Sequence, residues 1–364
     1  MAKVKMILVG GFLGAGKTTL LAQAAKRLKE RGLRVGLVTN DQAQDLVDTA
    51  VLQDQGHNVQ EVSGGCFCCR FDDLISALKL LMSGSPDVVI AEPVGSCTDL
   101  SATVLQPLKQ IYGDLFRVAP FSVLVDPDRL RESLEGRGSR FPDSVLYIFR
   151  KQLEEADAIV LNKADTLSSI ELARLKGLLA EQFPQTPVLA LSALTGAGVE
   201  AWLDLVLGDR PAGTRIAPVD YDVYAEGEAA LGWLNASVVL RAEAGADWRA
   251  FALDLLARMR NELRARSAEI AHVKLLLTAG GRTLAANLTS NESAPTAAGD
   301  VAGLSNEAAL VLNARVQIDP DELREIAERC LHAAAGQRVA ASIASLQSFA
   351  PARPRPTHRF ASVV

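Results

Sequence analysis

At 364 residues the chain is long enough for two domains with separate cores, and its 49% hydrophobic and 22% charged residues are ordinary for a soluble globular protein. The net charge of −5, from 38 basic against 43 acidic residues, lacks the basic excess of a dedicated nucleic-acid binder, and no apolar run reaches the ~18 residues that span a bilayer. Five cysteines, three of them within four positions, suit a metal or redox site in a reducing cytoplasm better than a disulfide framework.

The first ~210 residues alternate short apolar runs with amphipathic stretches, the pattern of a mostly parallel α/β sheet covered on both faces. Strands are expected at 4–9, 34–39, 87–91, 121–125, 158–161 and 187–191. Helices fall between them, for example the face Leu74, Leu78, Leu81. Lys3 and Lys5 ahead of the first run faintly imitate a signal peptide, but the run stops at Gly10 and reads as a strand. A Pro- and Gly-containing stretch at 208–220 reads as a linker. Beyond it, strands at 231–240, 270–278, 282–289 and 308–316, and helices at 247–266 and from Asp319 to about Ala335, predict a smaller α+β domain over 221–336. Asp319 is the expected N-cap. Residues 291–303 read as a surface loop, and 337–364, with Pro-Ala-Arg-Pro-Arg-Pro near its end, as a partly disordered tail.

Gly11-Phe12-Leu13-Gly14-Ala15-Gly16-Lys17-Thr18 satisfies every position of G-x-x-x-x-G-K-[ST], between an expected strand and an expected helix, in a first domain spanning 1–207. The glycines let backbone N–H groups face a polyphosphate, and the helix N-terminus adds its positive dipole end. Gly11, Gly14, Ala15, Gly16 and Thr19 are the expected cradle. Lys17 would neutralise the β- and γ-phosphates and Thr18 would ligate Mg²⁺.

The base is read from Asn162-Lys163-Ala164-Asp165, at the end of a strand where ligand loops of open α/β sheets lie. Asp165 can accept from both N1–H and the exocyclic amine of guanine, a donor pair adenine lacks. Asn162 and Lys163 would brace the loop and cover the base, and Ser192 and Ala193 fall in a second base-side loop. The order of the three elements argues for GTP and against a plain surface turn.

On the phosphate side, the strand ending Ala91-Glu92-Pro93-Val94-Gly95 brings the Glu92 carboxylate toward Mg²⁺ and a Gly95 amide toward the γ-phosphate. Asp41, ending the second strand in Thr39-Asn40-Asp41, is either a carboxylate aimed at the metal and attacking water or an Asx turn.

Between these lies Gly64-Gly65-Cys66-Phe67-Cys68-Cys69-Arg70. Thiolates of Cys66, Cys68 and Cys69 can converge on a soft divalent ion such as Zn²⁺ and leave one position for an exchangeable ligand. A C-x-x-C redox pair, Cys66 with Cys69, is the competing reading. Cys97 is either a fourth ligand or a buried thiol, His57 is a candidate to join the site, and Cys330 belongs in a helix core.

The motifs at 10–19, 64–69, 92–95 and 162–165 resemble those of the CobW-type metallochaperone GTPases, relatives of the urease and hydrogenase nickel-insertion GTPases, over roughly residues 4 to 207. The resemblance implies a P-loop GTPase domain, metal at Cys66, Cys68 and Cys69, slow GTP hydrolysis, and delivery of zinc or cobalt to a client metalloprotein or a cobalamin-pathway protein. Asn40-Asp41-Gln42-Ala43 departs from the Asn-Glu-Phe-Gly common in the family, the frequent His-rich stretch is missing, and the C-terminal half matches only in outline. The expected cofactors are GTP/GDP, Mg²⁺ and Zn²⁺ or Co²⁺. The expected partners are a client and, as a homodimer, a second copy of the chain, with neither nucleic acid nor membrane. A GTP-regulated interaction module for a corrinoid or metalloenzyme, with structural cysteines, is the alternative.

Overall fold

A computed structural model of the chain describes residues 3–41, 47–135, 141–301 and 304–364. They divide into two compact units, the first of Met1–Gln42, Gln55–Tyr224 and Pro354–Val364, the second of Ala43–Asp54 and Ala225–Arg353. Residues 42 and 43, part of the Asn40–Ala43 comparison, lie outside the described residues.

The chain begins β1 (Val4–Gly11), α1 (Lys17–Glu30) and β2 (Val35–Asn40), makes α2 (Val47–Asp54), then β3 (Asn58–Val62), α3 (Phe71–Met82) and β4 (Val88–Glu92). A π-helical turn, Ser101–Leu105, leads into α4 (Gln106–Tyr112), followed by β5 (Phe116–Val118), β6 (Ser122–Val125), α5 (Pro127–Glu135), α6 (Asp143–Glu154), β7 (Ala158–Leu161), α7 (Ser169–Gln182), β8 (Val188–Ala190) and α8 (Val199–Leu207). The strands form one parallel sheet in the order β3-β2-β4-β1-β6-β7-β8, with β5 beside β1. β1, β2, β4, β6 and β7 are buried at every residue because helices cover both faces. α3 buries Leu74, Leu78 and Leu81, the expected face. β3 and β5 escaped the sequence pattern because one is half polar and the other only three residues long.

α9 (Tyr221–Ala229) precedes the second sheet, antiparallel in the order β12-β11-β10-β13-β9-β14. Its strands are β9 (Gly232–Ala246), β10 (Ile270–Ala279), β11 (Arg282–Leu288), β12 (Thr296–Gly299), β13 (Ser305–Val316) and β14 (Ala340–Phe349), with α10 (Trp248–Ala265) and α11 (Pro320–Ala335) among them. Alternate residues of β9, Leu234, Ala236, Val238 and Leu240, share a core with Trp248, Phe251, Leu255, Met259 and Leu263 of α10 and with Cys330 of α11. Asp319 caps α11, its carboxylate accepting the amides of Asp321 and Glu322. α2 belongs to this unit: Lys274 on β10 holds both Asp48 oxygens at 2.7 Å, and the Val47 amide donates to Asn313 Oδ1 on β13.

The boundaries differ from the sequence expectation in three places. The 291–303 stretch contains β12, and the 337–364 stretch supplies β14, paired along β9, and a segment of the first unit. The 208–220 stretch is tied to the first unit through Asp157, which accepts the amides of Gly213 and Thr214 at 2.6 and 2.9 Å. Composition reads them as a surface loop, a partly disordered tail and a linker because Pro, Gly and Ser mark edge strands and pinned coils alike.

Candidate functional site

The candidate residues of the first unit, His57 apart, lie at or just beyond the C-terminal ends of its parallel strands, where helix N-termini and loops converge. At the end of β1 the phosphate loop turns into α1 through Gly16 at φ +94°. A Cβ on Gly16 would stand 2.3 Å from Asn162 Nδ2, so only glycine fits. Lys17 opens α1; its ammonium donates to the Gly11 carbonyl at 2.9 Å and lies 3.7 Å from Glu92 Oε1. Thr18 donates its hydroxyl to the same carboxylate oxygen at 3.2 Å, and Thr19 is exposed on the first turn of α1. Gly14 and Ala15 complete the loop, with the Ala15 amide held by the Phe12 carbonyl at 3.1 Å.

β4 delivers Glu92, and the chain then folds over the loop. A Cβ on Gly95 would meet Leu13 Cδ2 at 2.8 Å and Lys17 Nζ at 3.0 Å. Gln152 on α6 fixes this segment by donating to the carbonyls of Gly95 and Cys97 at 2.9 and 2.8 Å. A hydroxyl and a carboxylate in contact form the hard-oxygen donor set that Mg²⁺ prefers, so Thr18 and Glu92 fit that ion.

On the other side, Asn162 is buried and ties three loops together. Its Nδ2 donates to the Ala15 carbonyl at 2.7 Å, and its Oδ1 accepts the Ala193 amide at 2.9 Å. Ser192 accepts the Thr195 amide at 3.1 Å and shapes the loop after β8. Lys163, at φ +56°, is ion-paired with Asp126, while the Asp165 carboxylate is exposed.

The cysteine loop bends between β3 and α3. The Cys66 carbonyl accepts the amides of Cys69 and Arg70, so the three thiols sit on one turn at the N-terminus of α3, where the helix dipole favours thiolate. Their sulfurs all lie within 4.8 Å of one another, at 2.8 Å for Cys66–Cys68, 3.2 Å for Cys66–Cys69 and 3.7 Å for Cys68–Cys69. Two sulfurs sharing a tetrahedral Zn²⁺ at ~2.3 Å each stand about 3.8 Å apart, so one pair already has that spacing and Cys66 must move outward by under ~1 Å. The donor set and spacing fit a soft divalent ion. The thiols share charge: hydrogen bonds from Cys68, then Cys69 and Cys97, hold Cys66 well below the usual thiol range. The same contacts push Cys68 well above it, and Cys66 pushes Cys69 up to about 11.

Asn40 anchors this loop, a role its sequence context did not reveal. Its Nδ2 donates to the carbonyls of Val62 and Gly65 at 2.9 and 2.8 Å, and its Oδ1 accepts the Phe67 amide at 2.8 Å. Asp41 follows β2 and donates its amide to the Val62 carbonyl at 3.2 Å. The structure thus brings the Asn40 side chain onto the cysteine loop. Cys97 is fully buried, with its thiol against Cys66 and Cys68. His57 stands before β3, at the opposite end of that strand from the thiols, and pairs with Lys29 at 3.1 Å. It does not join them. Among the described residues no other group of three or more His, Cys, Asp or Glu side chains converges in this way. No helix among them is long and apolar enough to cross a membrane.

A G-K-T loop closing the first strand of a parallel sheet, with an acidic strand end against it, defines a P-loop nucleotide-binding domain. The chain belongs to the CobW/HypB/UreG nucleotide-binding family, whose model matches residues 5–190, just over half of it. It is 30% identical to the zinc chaperone YeiR of Escherichia coli K12 over 166 residues, 43% of this chain and 46% of that protein. It is 27% identical to the zinc chaperone CobW of Pseudomonas aeruginosa over 246 residues, 56% of this chain and 63% of that one. The matches thus span about half to under two thirds of those relatives. Among solved structures, HypB from Helicobacter pylori in complex with nickel aligns at TM-score 0.42 and 19% identity, covering 56% of this chain and 86% of that one.

Proposed function

We propose that this protein is a GTP-hydrolysing metal carrier that takes Zn²⁺ on Cys66, Cys68 and Cys69 and hands it to a client metalloprotein. The observation that carries this reading is the convergence of three sulfurs within 4.8 Å on a loop tied to the end of β2 by Asn40. Zinc is favoured over cobalt because the relatives that match over the nucleotide-binding region are named zinc chaperones. A cobalamin-pathway client and a homodimer remain proposals of the same reading.

Lys17 would neutralise the β- and γ-phosphates, Thr18 and Glu92 would hold Mg²⁺, and Asp165 would select guanine. Bound there, Mg²⁺ would supply charge neutralisation to the phosphates. Asp41 is the proposed carboxylate for the attacking water, and the Gly95 amide the proposed γ-phosphate donor. GTP would draw the ends of β2 and β4 inward, and hydrolysis would release them. Because Asn40 holds the cysteine loop from both sides, a shift at the end of β2 would reach the thiols directly.

Coupling requires a difference in affinity between states; equal affinity shifts nothing. Zinc affinity measured by chelator competition should differ at least ~5-fold between GDP and a non-hydrolysable GTP analogue. Equal affinities would reject the coupling. Zinc that survives replacement of Cys66, Cys68 and Cys69 by Ser would reject the site.

A further inference from the structure

We propose that residues 354–364 form a strap that positions Cys69 and sets how fast metal leaves the three-thiol site, an inference that rests on reading Cys66, Cys68 and Cys69 as that site. The segment runs across the cysteine turn in a series of specific bonds. The Arg355 amide donates to Cys69 Sγ at 3.2 Å. Thr357 donates its amide to the Cys68 carbonyl at 2.8 Å and its hydroxyl to the Cys69 carbonyl at 3.3 Å. The His358 ring stands edge-on to Phe71, the first residue of α3, at 5.1 Å between centroids.

The sequence explains why the amide of Arg355 is the one used. In Pro354-Arg355-Pro356 neither proline carries an N–H, so Arg355 has the only amide hydrogen across the three residues. The flanking prolines also stiffen the segment toward an extended form, which lowers the entropy lost on docking. An N–H aimed at sulfur stabilises a thiolate and fixes the direction of its lone pairs, as outer groups do for metal ligands generally.

Further along, the strap is latched to the fold. Arg359 Nε donates to Asp99 Oδ2 at 2.6 Å, and Tyr221 donates its hydroxyl to the same oxygen at 2.7 Å. Asp99 is fully buried, so the guanidinium compensates a carboxylate that water does not reach. The π-helical turn provides the next anchor. The Gln106 amide is given to the Ser101 carbonyl, and Pro107 has no amide hydrogen, so the Ala102 carbonyl takes its donor from Phe360 at 3.1 Å. The Val364 amide then donates to Gln106 Oε1 at 3.0 Å.

Cys66 and Cys68 are buried, and Cys69 is the half-exposed member of the three. Exchange of metal with a partner therefore begins at Cys69, the sulfur the strap holds. A docked strap keeps Cys69 in place, and release of the Arg359–Asp99 latch opens it.

Two readouts test this, one of them independent of metal. In the zinc-loaded protein, deletion of residues 354–364, or Arg355→Pro, should speed zinc transfer to a chromogenic chelator about tenfold. In the metal-free protein, the same changes should raise the alkylation rate of the Cys69 thiolate by iodoacetamide, read by mass spectrometry and compared at equal thiolate fraction from the pH–rate profile, while Cys66 and Cys68 change little. Arg359→Ala should act as the deletion does and Arg359→Lys should recover part of the unaltered chain's slow release; unchanged thermal unfolding in Arg355→Pro separates local release from misfolding. Unchanged release and unchanged alkylation would overturn the strap while leaving the metal site standing. A chain that binds no zinc through its cysteines would instead remove the metal role, and the alkylation rates would still decide whether the segment covers Cys69.

Discussion

Asn40 and Phe67 are joined by a 2.8 Å hydrogen bond from the Phe67 amide to the Asn40 carboxamide oxygen, so the last residue of a nucleotide-side strand fixes the middle of the cysteine loop. The amide nitrogen of Asn40 completes the clamp on the preceding turn. Asn40→Ala leaves a buried N–H and two carbonyls without this partner, a loss of ~1–3 kcal/mol. Zinc affinity should fall about tenfold, and its dependence on the bound nucleotide should disappear while GTP binding persists. Isothermal titration in both nucleotide states checks this. A retained nucleotide dependence would place the coupling elsewhere.

The Asp165 carboxylate is exposed at the end of β7 and oriented by a loop that Asn162 anchors. Asp165→Asn replaces an acceptor by a donor facing the guanine amine. GTP affinity should drop by ~100-fold, and xanthosine triphosphate, which carries an oxygen at that position, should bind better than GTP. Competition binding with the two nucleotides measures it. A variant that still prefers GTP would remove the base assignment.

Gly95 approaches Leu13 and Lys17 so closely that a methyl group would overlap both. Gly95→Ala should displace the loop over the phosphates and lower the rate of GTP hydrolysis at least tenfold, with a stability cost of about 1–3 kcal/mol from overpacking. Zinc stoichiometry should be unaltered. Steady-state hydrolysis alongside thermal unfolding distinguishes a loop effect from general destabilisation.

Glu155, fully buried, accepts the Ser101 amide at 2.8 Å and the Thr98 hydroxyl at 3.2 Å, and burial pushes its carboxyl up to about 8. The folded chain resists an ionisation that the unfolded chain undergoes near 4.5, so stability present below that value is lost as pH rises toward about 8. Glu155→Gln keeps an acceptor for the Ser101 amide, turns the Thr98 hydroxyl from donor to acceptor of the new amide N–H, and carries no titrating group. Its unfolding temperature should vary less between pH 5 and pH 8 than that of the unaltered chain. Parallel slopes in calorimetry would refute the assignment.

The nucleotide-side motifs were legible because each uses residues whose chemistry and spacing are tightly constrained: the turn at Gly16 tolerates no side chain, and Lys17 must open a helix. The three thiols were legible for the same reason. Asn40 was not, since an Asn at the end of a strand is ordinary and its partners are main-chain atoms that 22 to 27 positions separate from it. The 337–364 stretch was misread because β14 alternates small and polar residues on an edge, while the strap after it makes its bonds mainly through backbone amides, which composition does not record.

The path of the chain has a consequence for how the protein can be divided. α2, with Asp48 held by Lys274, is contributed by a stretch that leaves the first unit after Gln42 and rejoins it at Gln55, and residues 354–364 return to that unit from the second. No single cut therefore yields either unit whole. A fragment ending near residue 224 would carry an orphan helix and lack its strap; the complementary fragment would be missing the helix that fills its sheet. Neither unit can therefore be transferred to another protein as one contiguous segment.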